Sequence, residues 1–175
     1  MNAPDTSRQS PPFSSETGSP ARAALEAALA RTGLTVEPRE EPALLRRIGR
    51  ALTPGAYDVP DDVFRAALCA VRRKRWASRL MDLTRRDGRL WISREDMEQA
   101  VASIENPAAS DPELFAALDP VMAARFREQG DTPKAALAGM QADLLDTGRV
   151  LSAAQTARLA EAIAGAFNLT ATDRV

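Results

Sequence analysis

The sequence predicts an all-α protein, a compact orthogonal bundle of seven to eight short helices. Three observations carry this. Ala and Leu number 34 and 18, against 8 Val and 4 Ile, which favours helix and disfavours a large sheet. Four helix starts share one pattern, a capping side chain followed by proline: Ser19-Pro20, Asp111-Pro112, Asp119-Pro120 and Thr132-Pro133. The cap oxygen satisfies an orphan amide, and proline has no amide to orphan. The stops fit the starts, falling at Gly33, Thr53-Pro54-Gly55, Gly88 and Gly148.

The elements follow in order. Residues 1–18 hold Pro4, Pro11, Pro12 and several serines without apolar periodicity, with Phe13 as their lone aromatic. They predict a disordered tail ahead of one helical domain over residues 19–170. A first helix starts near Pro20 and buries Leu25 and Leu29. A second runs from about Pro42, with Leu44, Leu45, Ile48 and Leu52 on one face. A third starts at Pro60. Its first apolar stripe is Phe64, Leu68 and Val71, and its second is Trp76, Leu80 and Leu83. The stripe changes frame at Arg72-Arg73-Lys74-Arg75, which predicts a kink or a new helix there. The fourth, capped by Ser93, carries Met97, Val101 and Ile104. Two short helices after Asp111 and Asp119 offer Leu114, Leu118, Met122 and Phe126. A seventh runs from Thr132 with Leu137, Met140 and Leu144. The last starts at Ser152 and carries Leu159, Ile163 and Phe167.

Two junctions look alike: Asp87-Gly88-Arg89-Leu90-Trp91-Ile92-Ser93 and Asp146-Thr147-Gly148-Arg149-Val150-Leu151-Ser152. Each follows a helix, turns at glycine and ends on a serine cap. They could pair as a small two-stranded ribbon. The first also resembles the middle of an EF-hand calcium loop. Aligned on Ile92, however, the ligand positions fall on Arg85 and Arg89, and the glycine position on Leu90. Cations cannot replace the oxygens that calcium requires. The resemblance therefore implies architecture and no calcium site.

Composition narrows the chemistry. The chain has no His and one Cys. The commonest general base and a Cys/His zinc site are thereby missing, and no disulfide can form within the chain. No phosphate-loop, nucleophile-elbow or dinucleotide pattern occurs. Cys69 lies in an apolar helical context and reads as a buried small side chain. The acidic groups Asp58/Asp61/Asp62 and Glu37/Glu40/Glu41 read as helix-start charges favoured by the macrodipole. A non-enzymatic protein without cofactor or metal is expected. No stretch is apolar enough to span a membrane and no signal peptide is seen, so the expectation is a cytoplasmic protein.

Charge is divided along the chain. Residues 46–94 carry 13 basic and 5 acidic side chains, and residues 95–175 carry 6 basic and 13 acidic. The strongest candidate site is the group Arg72, Arg73, Lys74, Arg75, Arg79, Arg85, Arg86, Arg89 and Arg94, with Trp76 and Trp91 interleaved. Arginine grips phosphate in bidentate fashion and tryptophan can stack on bases. The expected function is regulatory or adaptor binding to nucleic acid, or to a nucleic-acid-handling complex, through residues 72–94, whose partner is nucleic acid or an acidic protein surface. The acidic C-terminal half would supply a second face for a protein partner. The alternative is a protein-interaction or self-associating module without nucleic-acid contact. The acidic run Asp111, Glu113, Asp119 argues against base reading by that segment.

Overall fold

The computed structural model describes residues 19–172, with side chains through Asn168. The expected tail, Phe13 included, lies outside the described residues. Eight helices follow in order: α1 (Pro20–Thr32), α2 (Glu41–Ala51), α3 (Asp61–Arg86), α4 (Arg94–Ala102), α5 (Asp111–Ala116), α6 (Leu118–Gln129), α7 (Pro133–Asp146) and α8 (Ala153–Thr172). The fold is all-α, as the sequence predicts.

The local grammar works at most starts. The Ser19 hydroxyl accepts from the Arg22 amide at 3.3 Å, and the Thr132 hydroxyl from the Ala135 amide at 3.2 Å. Ser93 and Asp96 form a reciprocal capping box on α4. Some starts differ from expectation by one or two residues, as at α3, which begins at Asp61 with Pro60 just ahead of it. α5 is capped by Ser110, whose amide and hydroxyl both donate to the Glu113 carboxylate at 2.7 Å. α6 begins at Leu118, so Asp119 sits inside its first turn. A serine just ahead of Asp111, with a glutamate three residues on, is the stronger capping arrangement, and it frees Asp111 for another task.

α3 continues through residues 72–75 as one helix, so no new helix starts there. It holds no proline or glycine that would break it. The change of frame has a different cause: this one helix serves two cores. Its first turns contribute Phe64 and Leu68 to a core with Ala24, Leu25 and Ala28 of α1, Leu44 and Ile48 of α2, and Val59. From Cys69 onward it contributes Trp76, Ala77 and Leu80 to a larger core built with residues of α4 to α8. The helices α1 and α2 pack chiefly on each other and on α3.

No strand occurs among the described residues, so the expected ribbon is absent. The two junctions do meet, but through a side chain: Arg149 Nη1 donates to the Leu90 carbonyl at 3.2 Å. The Ile92 amide turns back to the Arg89 carbonyl, which bends the segment out of extended pairing. The junctions nevertheless share one geometry. Gly88 and Gly148 have φ of 72° and 71°. The Arg89 amide reaches the Thr84 carbonyl at 2.9 Å, and the Arg149 amide reaches the Leu144 carbonyl at 2.8 Å. Each is a glycine-centred helix stop, followed by a serine that opens the next helix.

Candidate functional site

The predicted basic group divides into an inner part that the fold occupies and an outer part that it leaves open. Arg72 belongs to the first. Its side chain is buried and nearly all its N–H donors are engaged. Nε and Nη2 donate to Glu40 at 3.1 and 2.9 Å, Nη2 also to the Thr35 carbonyl at 2.7 Å, and Nη1 to the Pro107 carbonyl at 2.6 Å. Those partners come from the α1–α2 link, the start of α2 and the α4–α5 link. Arg72 therefore pins the small core's helices against the large core at the point where α3 passes between them. A guanidinium suits this place because its planar fork satisfies a carboxylate and two carbonyls at once. Burial pushes the Glu40 carboxyl up, but the Arg72 hydrogen bond, the Glu37 amide and the two guanidinium charges outweigh it and hold the carboxyl below its ordinary range.

The neighbouring side chains extend the seam. Arg75 pairs with Glu37 and with Glu40. Arg73 donates to the Ala102 carbonyl at 3.0 Å. Arg79 makes a two-point pair with Asp111 at 3.0 and 2.6 Å, and that hydrogen-bonded partner lowers the Asp111 carboxyl. Trp76 and Trp91 are both buried. Two expectations are corrected here. Arg72 and Trp76 do not form surface, because non-local segments cover them. The acidic groups near the first helix starts are also more than dipole partners: Asp58 and Asp61 grip Arg31 at the end of α1, and Glu37 and Glu40 hold the arginines of α3.

The outer part begins at the end of α3. Lys74, Arg85 and Arg86 are exposed, and their side chains make no hydrogen bond or ion pair among the described residues, although the Arg86 charge also helps lower the Asp111 carboxyl. Arg89 pairs with Asp87 and lies 5.2 Å from the centroid of the Phe115 ring. Arg94 pairs with Glu98 at 2.8 Å on the surface. Between the two junctions is a hollow of about 380 Å³ lined by Met81, Thr84, Arg85, Arg89, Leu90, Ile92, Arg94, Met97, Arg149, Val150 and Leu151. It contains four guanidinium groups and no carboxylate. An adjoining hollow of about 280 Å³ shares Arg149, Val150 and Leu151 and adds Leu144 and Leu145. Leu90, Leu145 and Val150 are exposed, Val150 at 80%.

Sequence reasoning missed Arg149, Leu90, Leu145 and Val150 as site residues. The signal was present in the matched junctions, where Arg89 and Arg149 each follow the turning glycine. Also missed was a second open cationic group, Arg46, Arg47 and Arg50 on the outer side of α2, exposed and without a partner among the described residues.

Two further features carry less. A hollow of about 520 Å³ between the first junction, α6 and α8 mixes Asp87, Asp119 and Glu161 with Arg89 and Arg158, and so selects neither charge. Cys69 is buried, its thiol donates to the Glu105 carbonyl at 3.4 Å, and burial pushes that thiol up, away from the reactive thiolate.

No family model matches the chain, and no match is found among curated proteins or solved structures.

Proposed function

We propose that this protein is a non-enzymatic interaction module that docks a protein partner on the face formed by its two matched junctions. One observation carries the reading: exposed Leu90, Leu145 and Val150 surround hollows floored by Met81, Met97 and Leu151. Clustered exposed apolar side chains with a polar rim are the mark of a docking surface. Methionine adapts its shape to an incoming side chain. The arginines once expected to meet phosphate at the centre of α3 are engaged internally, and both tryptophans are buried. A stacking platform for bases is therefore missing from the patch. Exposed carboxylates of the C-terminal half away from the junctions, such as Glu128 and Asp131, supply the second, acidic surface of the same proposal. A cytoplasmic setting belongs to it too. Among the described residues, no helix is long and apolar enough to cross a membrane.

The nucleic-acid reading keeps one specific support, the unpartnered Lys74, Arg85 and Arg86. The two readings part in a direct experiment. A random peptide library is selected on the intact protein and counter-selected on Val150→Asp, alongside titration with random duplex and single-stranded DNA at 50 and 200 mM salt. The proposal expects peptides that bind the wild type and not the variant, and DNA binding that is absent or weak. Strong DNA binding whose log K falls with log salt at a slope near −3, as about three neutralised phosphates require, with no Val150-dependent peptide, would replace it with the nucleic-acid reading.

A further inference from the structure

The docking face itself specifies the chemistry of its occupant. We infer that it takes an acidic amphipathic peptide segment, with apolar side chains seated in the hollow and carboxylates on its arginine rim. The inference rests on the protein-docking reading above and goes further by naming the partner's chemistry. Its basis is charge complementarity. The rim is Arg85, Arg89, Arg94 and Arg149, and no carboxylate lines the hollow. Arg85 has no partner among the described residues, and Arg149 holds only a carbonyl. The two rim pairs, Arg89 with Asp87 and Arg94 with Glu98, are between exposed side chains and give way readily to a competing carboxylate. A guanidinium beside an apolar floor is worth more to an incoming carboxylate than one in open water, because the floor displaces solvent.

The same charges argue against a symmetric second copy. A two-fold contact through this face would set the arginine rim against itself, and like charges facing each other oppose association. The apolar floor argues against a sugar–phosphate backbone, which would leave Met81, Met97 and Val150 uncovered. A helix can present apolar and acidic side chains on opposite faces, its anchors read at i, i+3 or i+4, and i+7.

Four labelled probes of about 18 residues test this by fluorescence anisotropy on the full chain. One is an amphipathic helix with Leu on one face and Glu on the other. A second replaces every Glu by Gln, a third scrambles the first, and the fourth is an 18-base-pair duplex. The expected result is saturable binding of the acidic helix, at least tenfold weaker for the Gln probe and for the scramble. Arg85→Glu and Val150→Asp each reduce it at least tenfold. Both positions are exposed, and an unchanged circular dichroism spectrum verifies that the variants fold. Equal binding of the Glu and Gln probes, still lost in Val150→Asp, overturns the acidic occupant and leaves the docking reading standing. Failure of the acidic helix to bind overturns the inference. Binding of the duplex alone overturns the docking reading with it. A concentration-dependent rise in mass by light scattering, abolished by Val150→Asp, would assign the face to a second copy instead.

Discussion

The two cores that share α3 are unequal, and the difference explains what the basic run is for. The N-terminal one holds eight buried apolar residues, two of them alanine. The C-terminal one holds eighteen, including both tryptophans and Phe126. A core as small as the first supplies at most about 3–5 kcal/mol by itself. Its helices are held by polar ties as well as by packing: Arg31 to Asp58 and Asp61, Arg22 to Glu41, and above all Arg72 to Glu40. The larger core has polar ties of its own, Arg79 to Asp111 and Arg125 to Asp96, but more than twice as many buried apolar residues beside them. A buried ion pair is a poor source of net stability, but it fixes orientation, because any other arrangement leaves a charge uncovered. Arg72 thus sets how α1 and α2 sit against the link before α5. Arginine near the middle of a helix serves here as an internal fastening, while arginine at the end of the same helix rims an open face.

The largest expected effect tests that fastening. Arg72→Met strands Glu40 in a buried position and is expected to cost about 3–5 kcal/mol in urea unfolding. Hydrogen exchange should then quicken in α1 and α2 well before α6 to α8. Uniform quickening across both cores would show that the two are not separately held.

Next come the junction glycines. Gly88→Ala and Gly148→Ala each force a side chain into the left-handed region, at about 1–2 kcal/mol. Similar losses in thermal melts are expected for the two, since their turns are alike. A loss at only one would mean that the junctions differ in ways the shared hydrogen bonds conceal.

A smaller, matched pair compares the cores themselves. Ile48→Val and Ile163→Val each delete one buried methyl group, at about 0.5–1.5 kcal/mol. The first should raise exchange in α1 and α2 alone, and the second should raise it across α6 to α8.

The smallest effect concerns acid. The Ser110 amide and hydroxyl, with the Asn106 amide, lower the Glu113 carboxyl from 4.5 to about 2. A carboxyl lowered on folding contributes stability that is present above its unfolded pKa and lost as pH falls through its folded one. Glu113→Gln should therefore reduce the change in melting temperature between pH 4.5 and 2 and do little to its shape above pH 5. An unchanged acid profile would deny the carboxylate its capping role.

Much of the fold was legible in the sequence because its signals are local. Ser19, Ser93 and Thr132 cap where their spacing predicts, and Gly33, Gly88 and Gly148 turn where the apolar stripes end. The α5 start slipped because Asp111-Pro112 and Ser110 with Glu113 are both valid local patterns, and only energetics chooses between them. The site was less legible for a physical reason. Periodicity tells which residues share a helix face, but not which distant segment covers that face. Thr35, Glu40 and Pro107 lie far from Arg72 in the chain, and they turn the most conspicuous cation of the run inward. The open rim was visible only as a repeat, since Arg89 and Arg149 come from regions of opposite net charge.

The fastening is tested most directly by a double-mutant cycle between Arg72→Met and Glu40→Gln, read by urea unfolding. A coupling of about 1.5–3 kcal/mol is expected, because each single change leaves the other group buried without its partner. If the two effects add to within about 0.5 kcal/mol, Arg72 and Glu40 do not hold each other, and the fastening assigned to this pair is wrong.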